Sequence, residues 1–287
     1  SVFFNKWREQ LAGHFPPEMS AEAAALRRFR SSVLIIDALT PQPDRDSASL
    51  RMVNLMRMLR EEGAHVVFLP TDRRNAGTYT CQLQQLGVEV WHAPHASRLS
   101  SWLRKNGSRF DTVLVSRHYV MREMLPLLRR YAPRARMVFD SVDLHYMRER
   151  RGAALKGDTS AARSAETTRR LELDVIERSD VTLVVSQTER DLLAQDAPHA
   201  QVEVLSNLHH VADSGLEFGQ RHGLLFVGGF RHPPNEDAIR WFVEAVWPLI
   251  RARKPGLQLH CIGGDVTAEV KALAAHPGVI VHGHVPD

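Results

Sequence analysis

The residues best suited to chemistry stand directly after short β-branched runs. Arg117 and His118 follow TVLVS (Thr112 to Ser116), and Asp143, His145 and Tyr146 come soon after RMVFD (Arg136 to Asp140), itself ending in Asp140. Histidine changes charge near neutrality, so it can donate, accept or carry a proton, although a lone histidine can equally be a structural group. Gly228 and Gly229 follow LLFV, and Arg231, Pro233, Pro234 and Asn235 lead on into a helical pattern. Glycines let a diphosphate approach the backbone, prolines suit a helix start, and the free amides of that start attract an anion. Arg231 could then clamp phosphate through a charge-assisted bond. A plain tight turn before a helix reads the same way. Asp44, Arg45 and Asp46 form Asp-x-Asp, a pattern able to hold a divalent cation. Its neighbours Ser47, Ser49 and Arg51, at the following helix start, are the better candidates for phosphate or acceptor contacts, so the stretch containing Asp46 is read as a ligand-side loop.

These loops need strands to carry them. SSVLIID (Ser31 to Asp37) is a buried-strand pattern, the Pro- and Asp-rich loop TPQPDRDSAS follows, and Met52, Leu55, Met56 and Leu59 make one helical stripe that ends at Gly63. HVVFL (His65 to Leu69) then completes a βαβ unit, whose crossover is expected to be right-handed and whose sheet is expected to be parallel. Strand signals recur at Val88 to Trp91, Thr112 to Ser116, Arg136 to Asp140, Val181 to Val185 and Val202 to Leu205, with helices such as Val120 to Tyr131 and Thr159 to Arg178 between them. In such open sheets ligands sit at the carboxyl ends of the strands, which is where the residues above fall. Arg148 to Ala165 reads either as a mobile loop or as a surface helix.

A linker pattern, Val211 to His222, precedes a second strand-helix-strand series: Leu224 to Val227, a helix over Asn235 to Arg253, Leu257 to Ile262 and Val279 to His282. Ala238, Trp241, Phe242, Ala245 and Leu249 fall on one face of that helix, and Pro248 is expected to kink it. Trp241 and Trp247 are read as packing against the sheet rather than stacking on a sugar. The expected organisation is a helical extension over 1–30, an acceptor-side Rossmann-like domain over 31–212 and a partial nucleotide-sugar-binding domain over 213–287. Three strands in the last, where a full half has five or six, predict an incomplete domain.

Composition narrows the class. The 287 residues are 44% hydrophobic and 24% charged, as in ordinary soluble globular proteins, and the formal charge is +4. Heavy arginine use suits phosphate-bearing ligands or an anionic membrane surface, or a merely solvated basic face. Cys81 and Cys261 lack a partner motif, so no disulfide framework and a reducing, cytoplasmic setting are expected. No run approaches the roughly 20 apolar residues of a membrane span.

The run FVGGFRHPPNEDAIRWFVEAVWPLIRARKPGLQLHCIGG resembles the start of the donor-binding domain of glycosyltransferase family 4. TPQPDRDSASLRMVNLMRMLREEGAHVVFLP resembles the opening βαβ unit of the same family, in its bacterial surface-polysaccharide branch. The resemblance implies a GT-B fold of two doubly wound Rossmann-like α/β domains. It also implies a hexosyl or glycosyl transferase that moves a sugar from a nucleoside diphosphate donor to a glycan or lipid-linked acceptor with retention. On that basis His118, Asp143 and His145 are the expected catalytic-site residues. Gly228, Gly229, Arg231, Asn235, Gly263 and Gly264 would hold the donor phosphates, and Asp46, Ser47, Ser49, Arg51 and Arg117 would line the acceptor side. No cofactor beyond the nucleotide sugar and no metal are expected, and no nucleic-acid partner; peripheral association with the inner face of the membrane stays open. The family's Glu-seven-residues-Glu motif is absent beyond the helix over Asn235 to Arg253. That absence leaves room for a non-catalytic binding or scaffold module, and a sugar-nucleotide epimerase of GT-B type is the further alternative.

Overall fold

The computed structural model describes residues 6–7, 28–209 and 215–285. The expected extension over 1–30 falls almost wholly outside the described residues, as does the start of the expected linker at Val211. The chain forms two compact units, one of Ser1–Pro41 with Met52–Leu208 and the other of Gln42–Arg51 with His209–Asp287.

In the first unit, seven strands form one parallel sheet: β1 (Ser31–Asp37), β2 (Ala64–Pro70), β3 (Glu89–Val90), β4 (Thr112–Ser116), β5 (Arg136–Asp140), β6 (Val181–Val184) and β7 (Val202–Val204). Their order is β3-β2-β1-β4-β5-β6-β7. The order reverses between β1 and β4, the switch point at which doubly wound sheets open a crevice. Side chains of β1 alternate between two cores. Leu34 and Ile36 join Val67, Val113 and Val115 on one face, while Val33 and Ile35 join Val66, Phe68 and Leu114 on the other. Burial on both faces explains why the strands read as near-continuous apolar runs.

Among the described residues the helices between these strands are α1 (Ser47–Glu61), whose start up to Arg51 is counted with the second unit, α2 (Thr78–Gln85), α3 (Leu99–Asn106), α4 (His118–Tyr131), α5 (His145–Lys156), α6 (Thr159–Arg178) and α7 (Gln187–Asp196). The stretch Arg148 to Ala165, open between loop and helix in the sequence, is helical apart from a tight break. Gly157 adopts the left-handed conformation (φ 62°) that closes α5, and the Asp158 carboxylate then accepts from the amides of Ser160 and Ala161 to start α6.

The second unit has β8 (Leu224–Val227), β9 (Leu259–Ile262) and β10 (Val279–Gly283) in a parallel sheet of order β10-β9-β8. Its long helix runs through Pro248 without a gap, as α8 (Pro233–Trp241), one π-helical turn (Phe242–Val246) just before the proline, and α9 (Trp247–Arg253). The expected packing face is corrected. Ile239, Val243 and Trp247 are buried, while Trp241 is 62% exposed and Leu249 70%. Apolar residues occupy nearly the whole circumference here, so periodicity alone does not choose the inner stripe. The buried stripe is the one whose tryptophan finds a partner, since Trp247 donates its indole N–H to the Pro277 carbonyl at 3.0 Å. A short α10 (Ala268–Ala272) lies between β9 and β10. Among the described residues no helix is long and apolar enough to cross a membrane.

Candidate active site

At the switch point, Asp37 ends β1 and Arg117 follows β4. The Arg117 Nε donates to Asp37 Oδ1 at 2.9 Å. Burial raises the Asp37 carboxyl above its usual range, and the Arg117 charge opposes that rise. Arg117 sits at φ 73°, and Val142, in the loop after β5, at φ 65°. Left-handed backbone is unfavourable for any residue with a Cβ and worst for a β-branched one, so both turns store strain, of order 1–3 kcal/mol each. Neighbouring structure holds them: Arg117 N–H donates to the Asp140 carbonyl at 3.0 Å and Ser141 N–H to the Leu183 carbonyl at 3.1 Å.

The strained turns deliver two histidines to one spot. The rings of His118 and His145 meet edge to face with centroids 4.8 Å apart, and Tyr119 stands beside them. Burial, with the neighbouring His145 adding to it, lowers the His118 value to about 4, and burial lowers His145 too. Both rings are therefore neutral near pH 7. The Nδ1 of His145 lies 3.1 Å from the Asp143 carbonyl, which puts its proton on Nδ1 and leaves Nε2 as an acceptor. Asp143 pairs with Arg148 at 2.5 Å and lies 3.3 Å from His145. Asp140 is fully buried and accepts from the Ser116 hydroxyl at 3.1 Å, which anchors the ends of β4 and β5 to each other.

The centre of this arrangement is a residue that the sequence reading missed. Glu172, on α6, is fully buried, and its carboxylate accepts from the amides of His145 at 3.3 Å and Tyr146 at 3.1 Å. These are first-turn amides of α5, so Glu172 caps that helix from a distance and fixes the point where His145 emerges. Burial raises its carboxyl to about 7, against the pull of those two hydrogen bonds. A signal existed: Ala165, Glu172, Val175 and Ile176 share the buried stripe of α6, so the glutamate occupies a core position. His118, His145 and Glu172 are also the only grouping among the described residues with ligand atoms close enough, within 4.8 Å, to be considered for a metal ion. The donor set does not favour one, since both Glu172 oxygens already accept from backbone amides.

The second unit carries the glycine turns. Gly228 N–H donates to Ile262 and Phe230 N–H to the Gly264 carbonyl, both at 3.0 Å, so the loops after β8 and β9 run side by side. They are so close that a Cβ on Gly263 would stand 1.9 Å from the Gly228 carbonyl oxygen. The Asn235 amide donates to the Gly229 carbonyl at 3.0 Å and braces the same turn. Arg231 is 85% exposed at its side chain and touches Asp265 at 3.4 Å. The expected free amides at the start of α8 are largely missing: Pro233 and Pro234 carry no N–H, the Asn235 amide donates to the His232 carbonyl at 2.9 Å, and Glu236 adds a negative charge to that turn. Most amides of these turns are spent within them, since those of Gly228, Phe230, His232 and Gly263 all donate to backbone carbonyls, which leaves Arg231 as the exposed cation beside the glycines.

The expected loop contacts at α1 are largely spent within the protein. The Asp46 carboxylate accepts from the Ser49 amide at 2.7 Å and the Ser49 hydroxyl at 2.9 Å, a helix cap rather than an open anion site. Arg51 is 1% exposed, while Ser47 remains at the exposed helix start.

The sheet orders, the switch-point turns and the glycine-bearing second sheet define a GT-B-like α/β fold. Residues 221–287 match the family model described as glycosyl transferases group 1. Among solved structures, the chain is similar to sucrose-phosphate synthase from Thermosynechococcus elongatus, at 14% identity and a TM-score of 0.54, covering 89% of this chain and 71% of that one. It is also similar to Glycyrrhiza uralensis UGT73P12 complexed with glycyrrhetinic acid 3-O-monoglucuronide, at 8% identity and a TM-score of 0.53, covering 89% and 69%. No curated protein sequence matches the chain.

Proposed function

We propose that this chain serves a glycosyltransferase that moves a sugar from a nucleoside diphosphate donor to a glycan or lipid-linked acceptor. Retention at the anomeric carbon and a role in bacterial surface-polysaccharide synthesis, at the inner face of the membrane, follow from the family resemblance and are part of the proposal. The observation that carries it is the coincidence of the group 1 family match over residues 221–287 with the paired glycine turns inside that span. Gly228, Gly229, Gly263 and Gly264 let the diphosphate approach the backbone of the two turns, although the Gly228 and Gly263 amides themselves donate within the sheet ends. Arg231 exchanges its exposed pairing with Asp265 for the phosphates, and neutralises charge as the leaving group departs.

His118 and His145 serve the reacting sugar. A neutral imidazole hydrogen-bonds a hydroxyl without setting a positive charge beside the oxocarbenium-like centre that develops during transfer, and burial keeps both rings neutral. Asp143, held by Arg148, orients His145. No metal is part of the proposal.

The test is thermal unfolding against a panel of nucleoside diphosphates and nucleotide sugars, followed by turnover. One nucleotide class is expected to raise the melting temperature. The shift should vanish in Arg231→Ala and persist in His118→Ala, which loses turnover alone. Product stereochemistry by NMR decides retention. A protein that no nucleotide stabilises and that turns over no nucleotide sugar is not a glycosyltransferase.

A further inference from the structure

Three strands away from the histidines, the first unit holds a cavity of about 360 Å³ that the proposed donor chemistry does not use. Its walls include Trp91, Trp102, Arg98, Ser101 and Lys105. It lies against the residues that follow β3, the edge strand three places from β4 in the sheet, and along α3.

The wall is built in advance. Trp91 N–H donates to the Phe68 carbonyl at 3.0 Å and Ala93 N–H to Arg73 at 2.9 Å, while the Arg73 guanidinium donates back to the Ser97 carbonyl at 2.7 Å. Arg73 does so from a left-handed backbone (φ 61°), strain that the surrounding bonds sustain. The rings of Trp91 and Trp102 stand 5.6 Å apart at 59°, and Trp102 is 5% exposed with its indole N–H lacking any acceptor.

The cations of this cavity are Arg98 and Lys105, and the carboxylate beside its wall, Glu89, is held by the Trp91 indole N–H, His65 and Arg109. No carboxylate lines it, and among the described residues neither Arg98 nor Lys105 pairs with one. Arg98 also stands at the start of α3, where no side chain caps the helix, so the first amides add to the pull on an anion. Apolar ring faces beside unpaired cations and a serine hydroxyl fit a ligand that is flat and partly apolar on one side, hydroxylated, and negatively charged. The volume is at the small end for ligand sites and suits a single ring.

We infer that this cavity binds an anionic saccharide residue, a sugar carrying a carboxylate or a phosphate. Only the further statement that this residue belongs to the acceptor rests on the transferase reading; the binding itself does not. The experiment is titration of the chain, without any nucleotide, with glucuronate, glucose 6-phosphate, glucose, inorganic phosphate and UMP, read by tryptophan fluorescence and calorimetry. Glucuronate or glucose 6-phosphate should saturate, and whichever binds tells carboxylate from phosphate. Glucose and phosphate alone should each bind at least about tenfold more weakly, since each lacks half of the recognition. The exposed double variant Arg98→Ala/Lys105→Ala should lose the charged sugar at least about tenfold and keep its melting temperature and its nucleotide response. Absence of saturable binding, phosphate or UMP binding as tightly as the charged sugars, or a double variant that binds unchanged would each overturn the inference. A nucleotide response lost from the wild type, with saccharide binding retained, would sink the transferase reading and leave this one standing.

Discussion

Glu172 holds the amides of His145 and Tyr146 from a helix 27 residues further along the chain, inside a fully buried setting. Glu172→Ala leaves both amides buried without an acceptor, so it should destabilise the protein by about 3 kcal/mol in denaturant unfolding; a loss below about 0.5 kcal/mol would refute the capping role. The titration of this group is as testable as its removal. His118 has a value of about 4 in the fold against 6.5 unfolded, so its contribution to stability is present above pH 6.5 and lost as pH falls toward 4. Glu172 runs the other way, with about 7 in the fold against 4.5 unfolded, so its contribution is present below 4.5 and lost as pH rises toward 7. Between 4.5 and 6.5 the two oppose each other. Glu172→Gln removes only the second, so the variant's stability should climb more steeply from pH 4 to 6.5 than the wild type's, and equal slopes would mean that Glu172 titrates normally. Val142 offers a third test. Replacing this left-handed valine by glycine relieves strain at the cost of unfolded-state entropy, for a net gain of about 1 kcal/mol in stability. A drop in stability would show that the valine side chain contributes more through contacts than its backbone costs.

Among the elements, the two glycine turns depend most on close backbone approach. Gly263→Ala puts a methyl group into the Gly228 carbonyl and must force the loops after β8 and β9 apart. Calorimetry should show a stability loss above about 2 kcal/mol, with any nucleotide response gone; a well-folded variant that still responds to nucleotide would separate the turns from donor binding. The long helix through Pro248 teaches a different lesson. Proline could be read from the sequence as a kink, but the π-turn and the choice of Ile239, Val243 and Trp247 as inner stripe follow from the sheet beneath, where the Trp247 indole meets Pro277. An apolar helix with two usable faces is oriented by its partner, which is why Trp241 was misjudged.

For the molecule as a whole, nucleotide binding should act locally. Hydrogen exchange with a stabilising nucleoside diphosphate is expected to slow at Gly228 to Arg231 and at Gly263 to Asp265, and protection confined to the first unit would contradict the assignment of the glycine turns. The sequence alone determined what is local in physics. Burial of strands on both faces writes itself as runs such as VLIID and TVLVS, and the carboxyl ends of those strands locate Arg117, His118, Gly228 and Gly263 without any knowledge of neighbours. Tertiary structure decided everything set by pairing across distance. Nothing near Glu172 in the chain says that it will cap α5, and Arg51 becomes buried only when its surroundings assemble, whereas the Asp46 cap on Ser49 is a local bond three residues long. Strand periodicity depends on a residue and its immediate neighbours, whereas the partner of a buried charge depends on which distant segments the sheet brings together, and only the folded chain contains that information.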